Sequence, residues 1–329
     1  MNIVFLIGNG FDLHLGMKTR YSDFYDYYVS KKSSSQLIQK LKNEIDGNLE
    51  NWSDLELALG KYTEDLNSTE EFNEVFDDIE DNLADYLDSV ENKFDFNQFD
   101  GTELYKYFVF PEDALPSADK NKILKFKNIY NNSQWNLNLI TFNYTQTLEK
   151  LTKYTGKPLQ INEFINRKNH PVVFNKIEHI HGYIHERMVL GVNDVSQISN
   201  NDFHKNQDII ETLIKDECNQ AQKHTKDIWC KHIISNANLI CIFGSSIGDT
   251  DNLWWQLIGE QLKRDCILII FERGEVIPPR RPQRGKIAER NKKKYFLGKT
   301  NLSEEEKEIA ANNVFIGINA EMFMLTLKI

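Results

Sequence analysis

Residues 3–12 have the sequence IVFLIGNGFD, an apolar run that ends in a glycine-rich turn. An apolar run without alternation is typical of a strand that is buried on both faces, as in a parallel sheet. Similar runs recur at 137–142, 239–243 and 266–271, and each is followed by a polar or glycine-containing turn. The first three runs then lead into helical patterns. This repeated order of strand, turn and helix predicts an α/β fold with a Rossmann-like, mostly parallel sheet. We expect the first three strands to end at one shared cleft.

Composition and charge limit the classes of protein to consider. The chain has 329 residues, of which 40% are hydrophobic and 12% aromatic, which predicts a globular protein rather than a disordered one. The formal net charge is −10, so binding to nucleic acid is not expected. The N-terminus lacks the pattern of a signal peptide, and no apolar stretch approaches the roughly 18 to 20 residues of a membrane span. We therefore expect a cytoplasmic protein without membrane contact.

Cysteine spacing gives no sign of a metal or disulfide framework. Cys218, Cys230, Cys241 and Cys266 include no C-x-x-C pair. Zinc ribbons and disulfide scaffolds both need a different spacing. The sequence therefore predicts buried, reduced thiols and no metal site.

A long helical pattern separates the first two strands. Ser53 to Glu56 and Ser68 to Glu71 each match a capping box, which marks a helix start. In residues 70–93 an apolar stripe lies opposite an acidic face, which we expect to be exposed. We predict that residues 20–135 form a helical insertion, packed on a core of residues 1–19 and 136–329.

The segment from Arg280 to Lys294 carries eight basic residues and one acidic residue, Glu289. A solvated loop and short helix is one interpretation, because surface charges are normally solvated. The other is a patch for a phosphate-bearing ligand or an acidic partner. The sequence leaves both open.

The turn Gly8-Asn9-Gly10 is suited to binding a phosphate, because glycines allow a close backbone approach. It matches neither classical phosphate motif. Leu13 stands where a dinucleotide fingerprint needs its third glycine, and the spacing to Gly16 is wrong for a P-loop. A tight turn that needs glycine for its backbone angles is the structural alternative.

Polar groups follow the other strands as well. Asn143 comes directly after the second strand, where ligands of open α/β sheets bind, although a helix cap is the simpler interpretation. His179 and His181 would point the same way if their strand continued, but a third metal ligand is missing at a diagnostic spacing. Gly244 to Asp251 form a second glycine- and serine-rich turn before a helix, and its hydroxyl groups suit a ribose or phosphate.

Taken in this order, the motifs resemble the AbiH abortive-infection family. The resemblance rests on IGNGFDL at 7–13, WSDLE at 52–56, NYT at 143–145, HIHG at 179–182 and GSSIGDTD at 244–251. It covers essentially the whole chain. Proteins of this family are in turn similar to the sirtuin-like NAD-cleaving domains of phage-defence systems.

This resemblance implies roles for individual residues. The catalytic group would be Asn143 beside the nicotinamide ribose, His181 as general base, and Asp12 holding the cationic ribose or a hydroxyl. The loop of Gly8, Asn9, Gly10 and Asp12 would hold the nucleotide phosphates, and Gly244, Ser245 and Ser246 would line the nucleotide site. We also expect Asp249, in the same turn as Gly244, to contact the nucleotide. The zinc-binding cysteines of protein deacylases are missing, so deacylation is not expected.

The sequence thus favours an abortive-infection effector that hydrolyses NAD⁺ to nicotinamide and ADP-ribose, with NAD⁺ as substrate and no required cofactor. An unidentified phage trigger would act on it, and it could form a homo-oligomer. The alternatives are a non-catalytic sensor that binds an NAD-type or ADP-ribose-type nucleotide and, less favoured, a nuclease. A nuclease is disfavoured by the net charge and by the lack of a compact acidic metal site.

Overall fold

The computed structural model describes residues 1–166 and 170–328. Its centre is a seven-stranded sheet with the strand order β3-β4-β2-β1-β5-β6-β7. The strands are β1 (Asn2–Ile7), β2 (Trp135–Thr141), β3 (Leu159–Gln160), β4 (Val172–His179), β5 (Leu239–Phe243), β6 (Ile267–Glu272) and β7 (Val314–Ile318). Every neighbouring pair is parallel except β3 with β4. The prediction of an α/β fold with a mostly parallel sheet is therefore confirmed.

The four apolar runs found in the sequence are β1, β2, β5 and β6. Strand β1 is buried on both faces, as its apolar run predicts. Ile3, Phe5 and Ile7 belong to one hydrophobic core, whereas Val4 and Leu6 belong to another on the opposite face. Alternate residues of a strand point to opposite faces, so a strand that lies between two cores must be apolar throughout.

The winding of the sheet reverses beside β1. Chain segments move outward from β1 through β2 to β4 on one side, and through β5 and β6 to β7 on the other. In open α/β sheets, ligands bind outside the carboxyl ends of the strands at such a reversal. The sheet topology therefore predicts a ligand site at the carboxyl ends of β1, β2 and β5.

Helices make up most of the rest. They are α1 (Gly10–His14), α2 (Tyr21–Ser30), α3 (Gln36–Gly47), α4 (Leu55–Tyr62), α5 (Thr69–Lys93), α6 (Leu104–Val109), α7 (Ser117–Asn128), α8 (Thr147–Thr152), α9 (Gln207–Leu213), α10 (Lys215–Ala221), α11 (Lys226–Ser235), α12 (Asn252–Leu262), α13 (Gln283–Gly298) and α14 (Glu304–Ala310). Residues 20–135 contain α2 to α7, and β2 begins at the last of these residues. Whether they form a separate unit, as the boundaries at 19 and 136 imply, stays a prediction. Within the described ranges, no helix is both long and apolar enough to cross a bilayer.

Helices α2 to α5 pack around a further hydrophobic core, which they share with residues between Met188 and Ile214. Phe24, Tyr28 and Ile79 are buried in it, and Tyr144 from the loop after β2 joins them. This core therefore extends from the helices to the carboxyl edge of the sheet.

Two details of these helices correct the sequence analysis. The acidic face of α5 is exposed at Glu70, Asp77 and Asp81, but Glu91 is buried. Its carboxylate accepts a 2.7 Å hydrogen bond from the backbone N–H of Gln146 and pairs with Lys150. Because these contacts replace water, an acidic residue can lie inside. The prediction of a fully exposed acidic face was therefore wrong at its last turn.

The first capping box was also wrong. Helix α4 is capped by Asp54, which accepts a 3.1 Å hydrogen bond from Leu57 N–H, and not by Ser53. Glu56 is therefore free to turn inward. At α5, Ser68 caps the helix as predicted by accepting from Glu71 N–H at 3.2 Å.

Candidate functional site

The motifs found in the sequence lie side by side at one edge of the sheet. Ile7 at the end of β1 pairs with Thr141 of β2 and Phe243 of β5, and Thr141 pairs with His179 of β4. The backbone beyond the strands continues this alignment, since Gly8 N–H donates to Phe243 O at 2.9 Å. The residues that follow the four strands are therefore neighbours in space.

The two glycine-rich loops contact each other directly. Gly10 N–H donates to Gly244 O at 2.8 Å. A Cβ atom on Gly10 would lie 2.5 Å from Gly244 Cα, and one on Gly8 would lie 2.7 Å from Gly244 O. Backbones this close leave no room for a side chain, so loop packing alone requires these glycines.

Two polar side chains of these loops, Asn9 and Ser245, form hydrogen bonds within the protein. Asn9 donates to Thr19 O at 2.7 Å and accepts from the Thr19 hydroxyl at 2.6 Å. The Ser245 hydroxyl accepts from Ile247 N–H at 3.1 Å, whereas Ser246 is exposed. These contacts hold the loop shape. The nucleotide-binding role given to these residues stays a prediction.

Asp249 lies on the outer side of its loop. Its carboxylate pairs with Lys299, and both border a shallow surface cleft beside Tyr295. The neighbouring Ile247 is buried with a φ of 60°, a conformation that strains a β-branched residue. The Tyr295 hydroxyl donates to Ile247 O at 3.2 Å and helps to hold this strained turn.

Asp12 is buried at the start of α1, beneath the loop after β2. Its Oδ2 accepts a 2.5 Å hydrogen bond from the Thr145 hydroxyl. Burial raises the pKa of Asp12 to about 6, although hydrogen bonds from Thr145, Thr147 and Asn143 oppose this change. Its Oδ1 is buried and has no hydrogen-bond partner among the described residues. Asp12 and Asn143, far apart in the sequence, thus share one polar cluster.

The backbone of Asn143 is held on both sides of its α-carbon. Its N–H donates to the Thr141 hydroxyl at 3.1 Å, and its carbonyl accepts from His179 Nδ1 at 2.9 Å. Nothing in the described chain hydrogen-bonds its buried side-chain Oδ1. The side chain of Asn143 therefore keeps a buried acceptor without a protein partner.

His179 and His181 have different partners, because β4 ends at His179 and the chain turns there. His179 Nε2 contacts Glu149 Oε1 at 2.8 Å, while Nδ1 contacts the Asn143 carbonyl. Both partners are acceptors, so both ring nitrogens must donate. Burial lowers the pKa of His179, but Glu149 and the Asn143 carbonyl outweigh burial and raise it above its usual value. His179 is therefore a clamp on the backbone carbonyl of Asn143, and the two histidines do not form a metal pair.

His181 belongs to a buried ionic network. Its Nε2 lies 2.8 Å from Asp251 Oδ1, and the same oxygen lies 2.9 Å from Lys215 Nζ. Lys215 also donates to Glu56 Oε2 at 2.8 Å, and the Tyr144 hydroxyl donates to Glu56 Oε1 at 3.2 Å. His181 Nδ1 is buried, and no described side chain or backbone group bonds to it.

The charges in this network depend on one another. Burial raises the pKa of Asp251, but Lys215 and His181 outweigh this and hold it well below its usual range. The two carboxylates in turn raise the pKa of Lys215 to about 12 against the opposing effect of its burial. For Glu56 burial is the stronger effect, and its pKa is raised. Lys215 is therefore the cation on which two buried carboxylates depend.

Sequence analysis missed three members of this network. Asp251 is the last residue of the glycine- and serine-rich turn, so the motif contained it although Asp249 was selected instead. Glu56 was assigned to a helix cap. Lys215 has no motif around it, and no local pattern could have revealed it.

A small cavity of about 130 Å³ borders this network. Its walls include His181, Lys215, Asp251, Asn193 and Trp254. Ligand pockets in proteins usually measure roughly 300 to 1,000 Å³. A dinucleotide therefore does not fit in this cavity as it stands.

Across residues 1–166 and 170–328, no group of three or more His, Cys, Asp or Glu side chains is arranged to hold a metal ion. In the basic segment, Arg281, Arg284 and Lys294 are exposed, which favours the solvated interpretation. Lys292 instead pairs with Glu272 at 2.6 Å.

Comparison of the chain with known protein families gave a match. The family described as bacteriophage abortive infection AbiH matches residues 4–272, a span that contains every candidate site residue. The chain belongs to the AbiH family. Membership implies a role in abortive infection during phage attack. A search of curated proteins found no match to this AbiH chain.

Proposed function

We propose that this AbiH protein hydrolyses NAD⁺ to nicotinamide and ADP-ribose when a phage trigger is sensed. One observation carries the proposal. Asp12 Oδ1, Asn143 Oδ1 and His181 Nδ1 follow neighbouring strands, and each is a buried polar atom without a partner in the described chain. Such an atom costs about 1–3 kcal/mol of stability, so a group of them at sheet ends favours a ligand site.

Cleavage of the nicotinamide–ribose bond suits these three side chains. The bond between ribose C1′ and the ring nitrogen breaks, and its electron pair neutralises the positive charge of the nicotinamide. The ribose becomes oxocarbenium-like, as in glycoside hydrolysis. The Asp12 carboxylate, ionised above its pKa of about 6, would stabilise this positive charge.

Water completes the reaction. The Asn143 carboxamide oxygen would accept a hydrogen bond from the water or from a ribose hydroxyl and so orient it. As the water oxygen bonds to C1′, its proton would pass to His181 Nδ1 and then to solvent. The products are neutral nicotinamide, ADP-ribose and one proton, so atoms and charge balance.

We also propose that the fold is Rossmann-like and related to sirtuin-like domains. The strand order, with its reversal beside β1, supports this relation. The adenosine and phosphate groups would lie along Gly8 to Gly10 and Gly244 to Ser246.

We propose that the described conformation is the resting, inactive state of the protein. The cavity at His181 is too small for a dinucleotide, and the two glycine-rich loops are closed on each other. The strained turn at Ile247 stores energy that opening would release. We propose that the trigger opens the loop of residues 244–251, and oligomer formation is one way to do so.

The test follows free nicotinamide after purified protein is mixed with NAD⁺, with and without lysate from phage-infected cells. We expect release by the wild-type protein and none by Asn143→Ala or His181→Ala. Asn201→Ala and His185→Ala, at exposed positions, are the matched controls. No release by wild-type protein under either condition would refute the proposal.

A second function is that of a nucleotide-binding sensor without catalysis, because the unpartnered Asp12 Oδ1 and Asn143 Oδ1 favour a bound ligand without requiring it to react. It predicts calorimetric binding of ADP-ribose or NAD⁺ without release of nicotinamide. The same samples measured both ways separate the two functions.

A further inference from the structure

The position of one proton decides whether His181 can act as a base. A neutral imidazole has one N–H and one bare nitrogen, and the partner of the first nitrogen determines which is which. His181 Nε2 lies 2.8 Å from Asp251 Oδ1, and Nδ1 is the nitrogen without a partner. If Asp251 is ionised, it can only accept, so the proton must be on Nε2.

Asp251 does not stand alone, because a second carboxylate lies on the other side of Lys215. Lys215 Nζ is 2.9 Å from Asp251 Oδ1 and 2.8 Å from Glu56 Oε2; Lys215 and Glu56 are buried, and 17% of the Asp251 side chain is exposed. Without the lysine, two carboxylates would share a buried site without a cation. Such pairs take up a proton, because neither burial nor mutual repulsion permits two negative charges, and Glu56 and Asp251 would share it.

A proton on Asp251 would reverse its hydrogen bond with His181. A protonated carboxyl donates, so Nε2 would become the acceptor and the imidazole proton would move to Nδ1. Nδ1 would then have no lone pair. The same ring, in the same place, could no longer accept a proton from water.

We propose that Lys215 is a positioning residue that keeps Asp251 ionised, and thereby keeps the proton of His181 on Nε2 and the lone pair on Nδ1. The effect on catalysis rests on the proposed NAD⁺ hydrolysis, but the proton position does not. Glu56, at the start of α4, positions Lys215 by accepting a hydrogen bond from its Nζ atom. The helical region before β2 thus contributes to the site itself.

The test reads the proton position directly by nitrogen-15 NMR of histidine-labelled protein. The chain has eight histidines, and the signals lost in His181→Gln protein identify His181. In wild-type protein we expect the proton on Nε2. In Lys215→Met and Lys215→Gln proteins, we expect the proton to shift to Nδ1 or the two forms to mix.

Lys231→Met is the matched control. Lys231 also bridges two carboxylates, Asp216 and Asp227, at 3.0 Å each, in contacts that include neither Asp251 nor His181. We expect its His181 signals to match those of wild-type protein. A proton on Nδ1 in wild-type protein overturns the proposal, whether or not the variants fold. So does an unchanged Nε2–H form in either folded Lys215 variant.

Steady-state kinetics of the Lys215 variants provide a second test. The Lys215 variants should lose kcat on the order of 10²-fold or more with little change in KM, because base function is lost and not substrate contact. An unchanged kcat with a shifted proton overturns the catalytic role. If wild-type protein releases no nicotinamide but the proton shifts as expected, the proposed function fails while the role of Lys215 in setting the proton stands.

Discussion

Replacing Asp12 by asparagine should make the protein more stable while removing its activity. The substitution keeps the shape of the side chain and removes its charge. Asp12 is 1% exposed, and burial raises its pKa to about 6 from an ordinary value of 3.8. An ionised carboxylate in this position therefore destabilises the fold, and an amide, which cannot ionise, does not.

The magnitude follows from the two pKa values. In the unfolded chain the carboxyl ionises near pH 3.8 and in the folded chain near pH 6, so stability from this group is fully present below pH 3.8 and is lost as the pH rises through 6. A difference of about two pH units corresponds to about 3 kcal/mol. Against the asparagine variant, the wild-type deficit should be about 1.5 kcal/mol at pH 5 and about 3 kcal/mol at pH 8.

Urea denaturation of both proteins between pH 5 and pH 8 measures this difference. Asp202→Asn, at an exposed position, is the control and should change stability little at any pH. The reasoning is refuted if Asp12→Asn is less stable than wild-type protein at pH 8, or if the stability difference does not grow with pH. A variant that is more stable but inactive would mark Asp12 as a residue kept for function at the expense of stability.

Three further predictions follow from the packing and the charges. Gly10→Ala should lower the free energy of unfolding by about 3 kcal/mol, because its Cβ would lie 2.5 Å from Gly244 Cα. As a control, Gly47→Ala, in open space at the end of α3, should raise the free energy of unfolding by about 0.5–1 kcal/mol. Equal effects of the two substitutions in thermal melts would argue against the close contact between the loops. His179→Ala should lower the free energy of unfolding by about 1–3 kcal/mol and also reduce NAD⁺ cleavage, because the Asn143 carbonyl loses its hydrogen-bond donor. Full activity of this variant would show that the contact between His179 and Asn143 is not needed for catalysis. The rate of NAD⁺ cleavage should fall as the pH drops through about 6, where Asp12 takes up a proton; a rate that is constant down to pH 5 would contradict a role for its charge.

The sequence was most informative where structure depends on local pattern. Uninterrupted apolar runs identified β1, β2, β5 and β6, because a strand between two cores must be apolar on both faces. Parallel order then placed the polar residues after these strands at a common edge. Strand β7, the run VFIGI at 314–318, carried the same signal and was overlooked.

The ionic network could not be predicted in the same way, because its members are far apart in the chain. Glu56 and Lys215 are 159 residues apart in the chain, and only the tertiary fold brings Lys215 Nζ to within 2.8 Å of Glu56 Oε2. Local pattern even gave a misleading answer for Glu56, since a glutamate three residues after a serine matches a helix cap. The capping role belongs to Asp54, which left Glu56 available for the interior.

The surroundings of His179 and His181 differ too much for His179→Ala to serve as the control for His181→Ala. If the strand continued, residues 179 and 181 would point to the same face of the sheet, and their rings would have similar surroundings. The strand ends at His179, and the turn sends one ring to Glu149 and the other to Asp251. His185, which is half-exposed and lies 3.2 Å from Asp88, is the better control.

Release of nicotinamide from NAD⁺ by purified protein, measured beside the melting temperature, tests the central claim most directly. The account predicts release by wild-type protein, alone or with lysate from infected cells, and none by an Asn143→Ala or His181→Ala protein that melts within a few degrees of wild type. Wild-type protein that leaves NAD⁺ intact under both conditions, or a folded His181→Ala protein that releases nicotinamide at the wild-type rate, would contradict it.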